Sequence, residues 1–263
     1  MNRMTALAAT VALAAGSLAL TTPTQAAPAK AQTWKVTAKA NLEVAVAKED
    51  IVKVKGRVTP KAAGEKVVLQ QRVGNKKKWT VTGSAKVKKN GTYKLTDKPS
   101  TPGSREYRVL KPASKGLSKG FSKSLPVEVY RWEKLVNRIS GPRVNVDPAG
   151  VLIGAEYFGQ SLATVAPRTP SSVEYTLGRK CTDLRATYAL TDSSTTGATG
   201  AVTVTADGAA KATHALAIGT VVADEVLDIS DTFRLRFDLN TTTVAPTDAA
   251  VAAVATPEVL CTR

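Results

Sequence analysis

The octapeptide IVKVKGRV at residues 51–58 alternates apolar with basic side chains. A period of two fits only an extended chain that buries one face and wets the other. Residues 66–73 (KVVLQQRV), 79–87, 92–95 and 107–110 continue the pattern, and Gly74-Asn75 and Asn90-Gly91 supply turns between them. With 34–42 and 125–130 this makes about seven strands in about 100 residues, the number and spacing of an immunoglobulin-like sandwich. Residues 172–177, 184–190, 202–206 and 232–239 alternate in the same way. The whole chain therefore reads as all-β.

A break in charge divides it. Residues 27–130 carry 24 Lys and Arg against 7 Asp and Glu, whereas 131–263 carry 12 against 14. The kind of base changes as well, from 20 Lys and 4 Arg to 3 Lys and 9 Arg. In a chain of 263 residues this predicts two domains, 32–130 and 131–263. Residues 111–121, rich in Gly, Ser and Lys, read as a loop. At the N-terminus Arg3 precedes an apolar, Ala-rich run, and Thr24-Gln25-Ala26 offers the small residues of a processing site. Residues 1–26 are thus expected to be a signal peptide, with Ala27-Pro28-Ala29 as a second cleavage site and an uncleaved anchor as the alternative. No later segment approaches the roughly 20 apolar residues that cross a bilayer, so a secreted chain with no transmembrane segment after cleavage is expected.

Export permits disulfides, and Cys181 and Cys261 are the only cysteines, which predicts one bridge with a free thiol as the alternative. No CxxC is present and His214 is the single histidine, which argues against zinc or copper. Asp183, Asp192 and Asp207 are oxygen donors suited to calcium but lack the D-x-D-x-D-G spacing. His214 sits among small residues and reads as structural rather than as a general base. GxSxG, phosphate-loop and dinucleotide motifs are missing, so the expectation is a non-enzymatic protein without a cofactor. The lysines fall at every second strand position and few aromatics lie among them, which fits a solvated basic face better than dedicated nucleic-acid binding. Coulomb attraction to anionic wall polymers is the other use such a face allows.

Two stretches resemble known families. GEKVVLQ, Trp79, GTYKL and YRV, in that order, resemble the Ig-like repeats of exported bacterial proteins, over 32–130. SSVEYTLGRKCTDLRATYALTDSSTTGATGAVTVTADG, followed by DEVLDISDTFRLRFDL and AVATPEVL, resembles the NPCBM/NEW2 family of carbohydrate-binding modules, over 151–260. Residues 152–157 resemble that family's opening strand and Ala206-Asp207-Gly208 its turn after the strand pair. The resemblance implies a galactose-binding-like jelly-roll sandwich with a glycan or cell-wall polysaccharide as partner. The chain departs from the family where Arg168 and Thr169 stand in place of a histidine, and where Val254 stands near the place of a closing tryptophan.

A pyranoside site needs an aromatic face for the sugar's C–H surface and polar groups for its hydroxyls. Tyr175, Tyr188, Phe233 and Phe237 fall on apolar strand faces and are expected in the core, which leaves Tyr157 or Trp132 as the platform, with Phe158 beside them. Gln160, Arg168, Asp192 and Asp207 are expected in loops as polar contacts, although Asp192 and Asp207 serve equally well as turn residues. The expected function is a secreted, non-catalytic carbohydrate-binding protein with a basic Ig-like spacer. Two alternatives remain: a structural or adhesive envelope protein binding anionic wall polymers through the Lys-rich half, and an enzyme of unrecognised type.

Overall fold

The computed structural model describes residues 32–263, so the expected signal segment lies outside the described residues. The fold is all-β; among the described residues there is no α-helix, only a 3-10 turn at Leu135–Asn137.

Nine strands come first: β1 (Lys35–Ala40), β2 (Val44–Val46), β3 (Val52–Thr59), β4 (Lys66–Val73), β5 (Thr80–Lys86), β6 (Thr92–Asp97), β7 (Gly103–Lys111), β8 (Gly120–Phe121) and β9 (Leu125–Lys134). They form a β1-β3-β6 sheet facing a β5-β4-β7-β9 sheet, with β2 parallel to β9 along its other edge and β8 paired to β7. That strand order is the one an immunoglobulin-like sandwich has. The alternation explains the layering. In β3, Val52, Val54 and Val58 are buried while Lys53, Lys55 and Arg57 are exposed, and the buried set packs with Leu69, Tyr93, Tyr107, Val127 and Val129.

One lysine breaks the solvated pattern. Lys111 shares the inward side of β7 with Tyr107 and Val109, and its side chain is only 2% exposed. Its Nζ pairs with Glu65 at 2.6 Å, donates to the Pro112 carbonyl at 2.9 Å and to Ser114 Oγ at 2.8 Å, and lies over the Trp34 ring. A buried ammonium has to be compensated in this way.

Ten further strands follow: β10 (Arg143–Val144), β11 (Val146–Ile153), β12 (Glu156–Thr164), β13 (Ser171–Thr176), β14 (Cys181–Leu190), β15 (Thr199–Ala206), β16 (Ala209–Ala217), β17 (Val221–Asp228), β18 (Arg234–Thr242) and β19 (Ala252–Cys261). One sheet runs β10-β13-β18-β15-β16; in the other, β19 lies between β12 and β14, with β11 beyond β12 and β17 beyond β14. Between them pack Val173, Tyr175, Leu184, Tyr188, Val202, Val204, Leu235, Phe237 and Val254, the two-sheet arrangement of a jelly-roll-type sandwich. Cys181 and Cys261 oppose each other on β14 and β19 and form a disulfide.

β9 belongs to both halves. Its residues 125–130 pair with β7 and β2, and its residues 131–134 pair with the end of β19. The free side of β19 is therefore shared: Ala253 and Val254 meet β12, and residues 258–261 meet β9.

Three expectations are corrected. Phe233 is 42% exposed rather than core, because β18 begins only at Arg234 and the alternation does not extend before it; Tyr175, Tyr188 and Phe237 are buried. Residues 152–157 are no single strand but the tip of the β11–β12 hairpin, turning through Gly154 and Ala155 at positive φ. Gln160 lies within β12, at positive φ where the pairing with β11 slips, rather than in a loop.

Candidate functional site

On the side of the β12-β19-β14 sheet away from the main core, small side chains leave the surface low. Ala163, Ala189, Ala253 and Ala255 pack there with Val151 and Ile153 of the β11–β12 hairpin. Beside this cluster opens a cavity of about 620 Å³ whose walls include Gly150, Leu152, Tyr157, Thr191, Asp192 and Ser193. Its volume lies in the range of small-ligand sites.

Tyr157 is its most prominent wall and is 69% exposed. The hairpin register sets Leu152 opposite Tyr157, and the ring leans over Gly150. A Cβ on Gly150 would come within 2.2 Å of the Tyr157 hydroxyl oxygen and 2.8 Å of Cζ, so the bare glycine is what lets the ring lie down. An exposed ring supported from below is the shape of a stacking platform for a sugar's C–H face.

Asp192 reaches the same cavity from the loop after β14. Its Oδ1 accepts the Gly154 N–H at 2.7 Å and its Oδ2 the Ala155 N–H at 2.8 Å, while its own N–H donates to the Leu152 carbonyl at 2.9 Å. The carboxylate thus ties the hairpin tip that carries Tyr157 to the loop that carries Thr191 and Ser193. An ionised carboxylate offers about four acceptor directions, so two remain for ligand hydroxyls. The Thr191 and Ser193 hydroxyls bond to each other at 2.8 Å.

Of the six residues expected at a sugar site, the cavity brings together Tyr157 and Asp192. The other four stand elsewhere. Trp132 lies on β9 with the Arg185 guanidinium 4.2 Å over its ring, and Arg185 Nε in turn donates to Glu258 at 2.7 Å. Arg168 donates through Nη2 to the Pro246 carbonyl at 2.7 Å and through its backbone N–H to Thr241 Oγ1, bracing the loop after β18. Asp207 forms with Gly208 the β15–β16 turn, both at the positive φ a two-residue hairpin requires. Its carboxylate accepts the N–H groups of Phe233 and Arg234, and these hold its pKa below the usual aspartate value. Gln160 is placed by the irregularity in β12.

Thr191, Ser193 and Gly150 carried no sequence signal beyond belonging to turn-rich stretches; their shared position depends on contacts about 40 residues apart in the chain. Asp183, Asp192 and Asp207 are not gathered: Asp183 accepts from Thr182, and the other two serve separate backbone turns. Among the described residues no cluster of three His, Cys, Asp or Glu forms. His214 bonds through Nε2 to Glu225 at 2.9 Å and stacks on Tyr188 at 4.6 Å, joining β16 to β17 across the edge of the sandwich. No family model matches the chain, and no curated protein matches it either.

Proposed function

We propose that this chain is a secreted, non-catalytic carbohydrate-binding protein, in which the cavity at Tyr157 and Asp192 receives the glycan and the Lys-rich sandwich acts as a basic spacer. One observation carries the reading: an exposed tyrosine ring, supported by Gly150, stands over a cavity bordered by a carboxylate and two hydroxyls. The resemblance of 151–260 to carbohydrate-binding modules supports the ligand class, and the disulfide fits an oxidising compartment. Shallow sites of this kind exchange sugar hydroxyl bonds against water, so affinities of about −4 to −8 kcal/mol, millimolar to micromolar, are expected.

A neutral-glycan array at millimolar concentration tests it. Tyr157→Ala should abolish the binding seen with the parent chain while the thermal transition stays in place. Gly150→Ala should weaken it as well, by pushing the ring off its seat. A folded parent chain that binds no glycan would refute the reading.

A further inference from the structure

The outer face of the β5-β4-β7 sheet holds an arrangement that the spacer role leaves unused. Arg108 on β7 lies between two aromatic rings, its Cζ 4.1 Å from the centroid of Trp79 and 4.3 Å from that of Phe121. Arg72 on β4 lies over Trp79 as well, at 4.9 Å. Strand register builds the stack: Gln70 opposes Arg108, Arg72 opposes Glu106, and Phe121 opposes Leu110. Phe121 is 40% exposed, and Val81, facing Gln70 across the β4–β5 pair, is 65% exposed.

The two arginines differ in partners. Arg72 pairs with Glu106, but Arg108 donates only Nε, to Gln70 Oε1 at 2.9 Å, and no carboxylate among the described residues pairs with it. Burial and the neighbouring Arg72 charge both work against its protonated form. An anion seated on it would offset the repulsion from Arg72. Rings on two sides fix the guanidinium plane, and its terminal N–H pair matches a carboxylate in two parallel bonds. Exposed Lys76, Lys77 and Lys78, in the β4–β5 turn just before Trp79, extend the positive surface beyond a single ion.

We propose that this face binds an anionic polysaccharide, with Arg108 seated on one of its carboxylates and the 76–78 lysines following the chain. Nucleic acid fits less well, since the larger ring, Trp79, is engaged by two guanidinium groups and is no free stacking platform for bases. This surface lies on the first sandwich and does not depend on the Tyr157 cavity; neutral glycans test the cavity and charged ones this face, so the two proposals fail separately.

The full chain should be tested against immobilised polygalacturonate at about 150 mM salt, where diffuse surface charge is screened over about 8 Å. Arg108→Gln should weaken retention at least tenfold, and Arg108→Lys nearly as much, because an ammonium cannot form the planar fork. Lys53→Gln, an equal loss of charge on the opposite sheet, should change it less than twofold. Phe121→Ala, which opens one side of the stack without removing charge, should weaken binding severalfold and covers the case in which the Arg108 variants do not fold. Equal effects of Lys53→Gln and Arg108→Gln would overturn the proposal, as would preference for an oligothymidylate of matched charge over polygalacturonate.

Discussion

The ion pair of Lys111 with Glu65 makes a prediction whose size follows from the structure. Bonds from Lys111 and Ser114, with Lys115 at 3.1 Å from the other oxygen, hold the Glu65 carboxyl down at about 2 from an ordinary 4.5, although burial opposes them. The Glu65 side chain is 19% exposed and that of Lys115 64%, so solvent screens part of the effect. A depression of this size corresponds to at most about 3 kcal/mol. Its sign is set by linkage: the unfolded chain takes up the proton near 4.5 and the folded chain only near 2, so the contribution is complete above pH 5 and disappears as pH falls to 2. Glu65→Gln removes this titration and leaves Lys111 buried without its counter-charge, a loss of about 3–5 kcal/mol at pH 7. Urea unfolding followed by tryptophan fluorescence, between pH 7 and pH 2.5, measures both. Other carboxylates and the accumulating positive charge act alike in parent and variant, so the difference between the two isolates Glu65. That difference should shrink by about 1–2 kcal/mol between pH 5 and pH 2.5. Parallel profiles across that interval, or a cost under about 1 kcal/mol at pH 7, would refute the reasoning.

Other substitutions separate buried from exposed groups. Phe237→Ala should cost about 3–5 kcal/mol in urea unfolding, and Phe233→Ala under about 1 kcal/mol, since one ring is fully buried and the other lies at the surface near Arg179. Tyr107 donates to Asp97 at 2.6 Å, whereas the buried Tyr188 hydroxyl has no partner among the described residues. Tyr107→Phe should therefore cost about 1.5–3 kcal/mol and Tyr188→Phe less than about 1 kcal/mol, read from denaturation midpoints; equal costs would contradict the assignment. Replacing both cysteines with serine opens a crosslink across 80 residues and should cost roughly 4 kcal/mol by loop entropy, visible as a lower midpoint that reductant does not lower further.

Much of the strand pattern was legible wherever one face meets water and the other meets core. The run 66–73 coincides with β4 to the residue, and 51–58 falls one residue from β3. The β11–β12 hairpin was not, because its run of Asp, Pro, Gly and Ala carries little alternation and its apolar members pack on a second, smaller cluster. β16 and β17 carry little alternation, since they are edge strands with much of their length exposed. The loop expected over 111–121 begins one residue later, because Lys111 ends β7 and its parity with Tyr107 and Val109 turns it inward. Phe233 failed in the opposite way, by extending a periodicity past the end of its strand. The closeness of Tyr157 to Asp192, and of Trp79 to Arg108 and Phe121, depends on register and loop path, which local pattern does not encode.

The position of β19 has a consequence for synthesis. Ribosomes deliver a chain from its N-terminus, and a sandwich whose last strand lay at an edge could assemble nearly whole before that strand arrived. Here residues 252–261 form the middle rung of a sheet, with β14 on one side and β12 and β9 on the other. Until they emerge, β14 and β12 have no common neighbour, and Tyr188 and Leu184 have no Val254 or Val259 to pack against. All nine strands of the first sandwich are delivered before β10, whereas the second has to wait with its apolar strands open, in the interval when unpaired edges invite aggregation. Cys181 waits with them: its thiol meets its partner only when that final rung slides into place, so oxidation seals an assembly that is already complete.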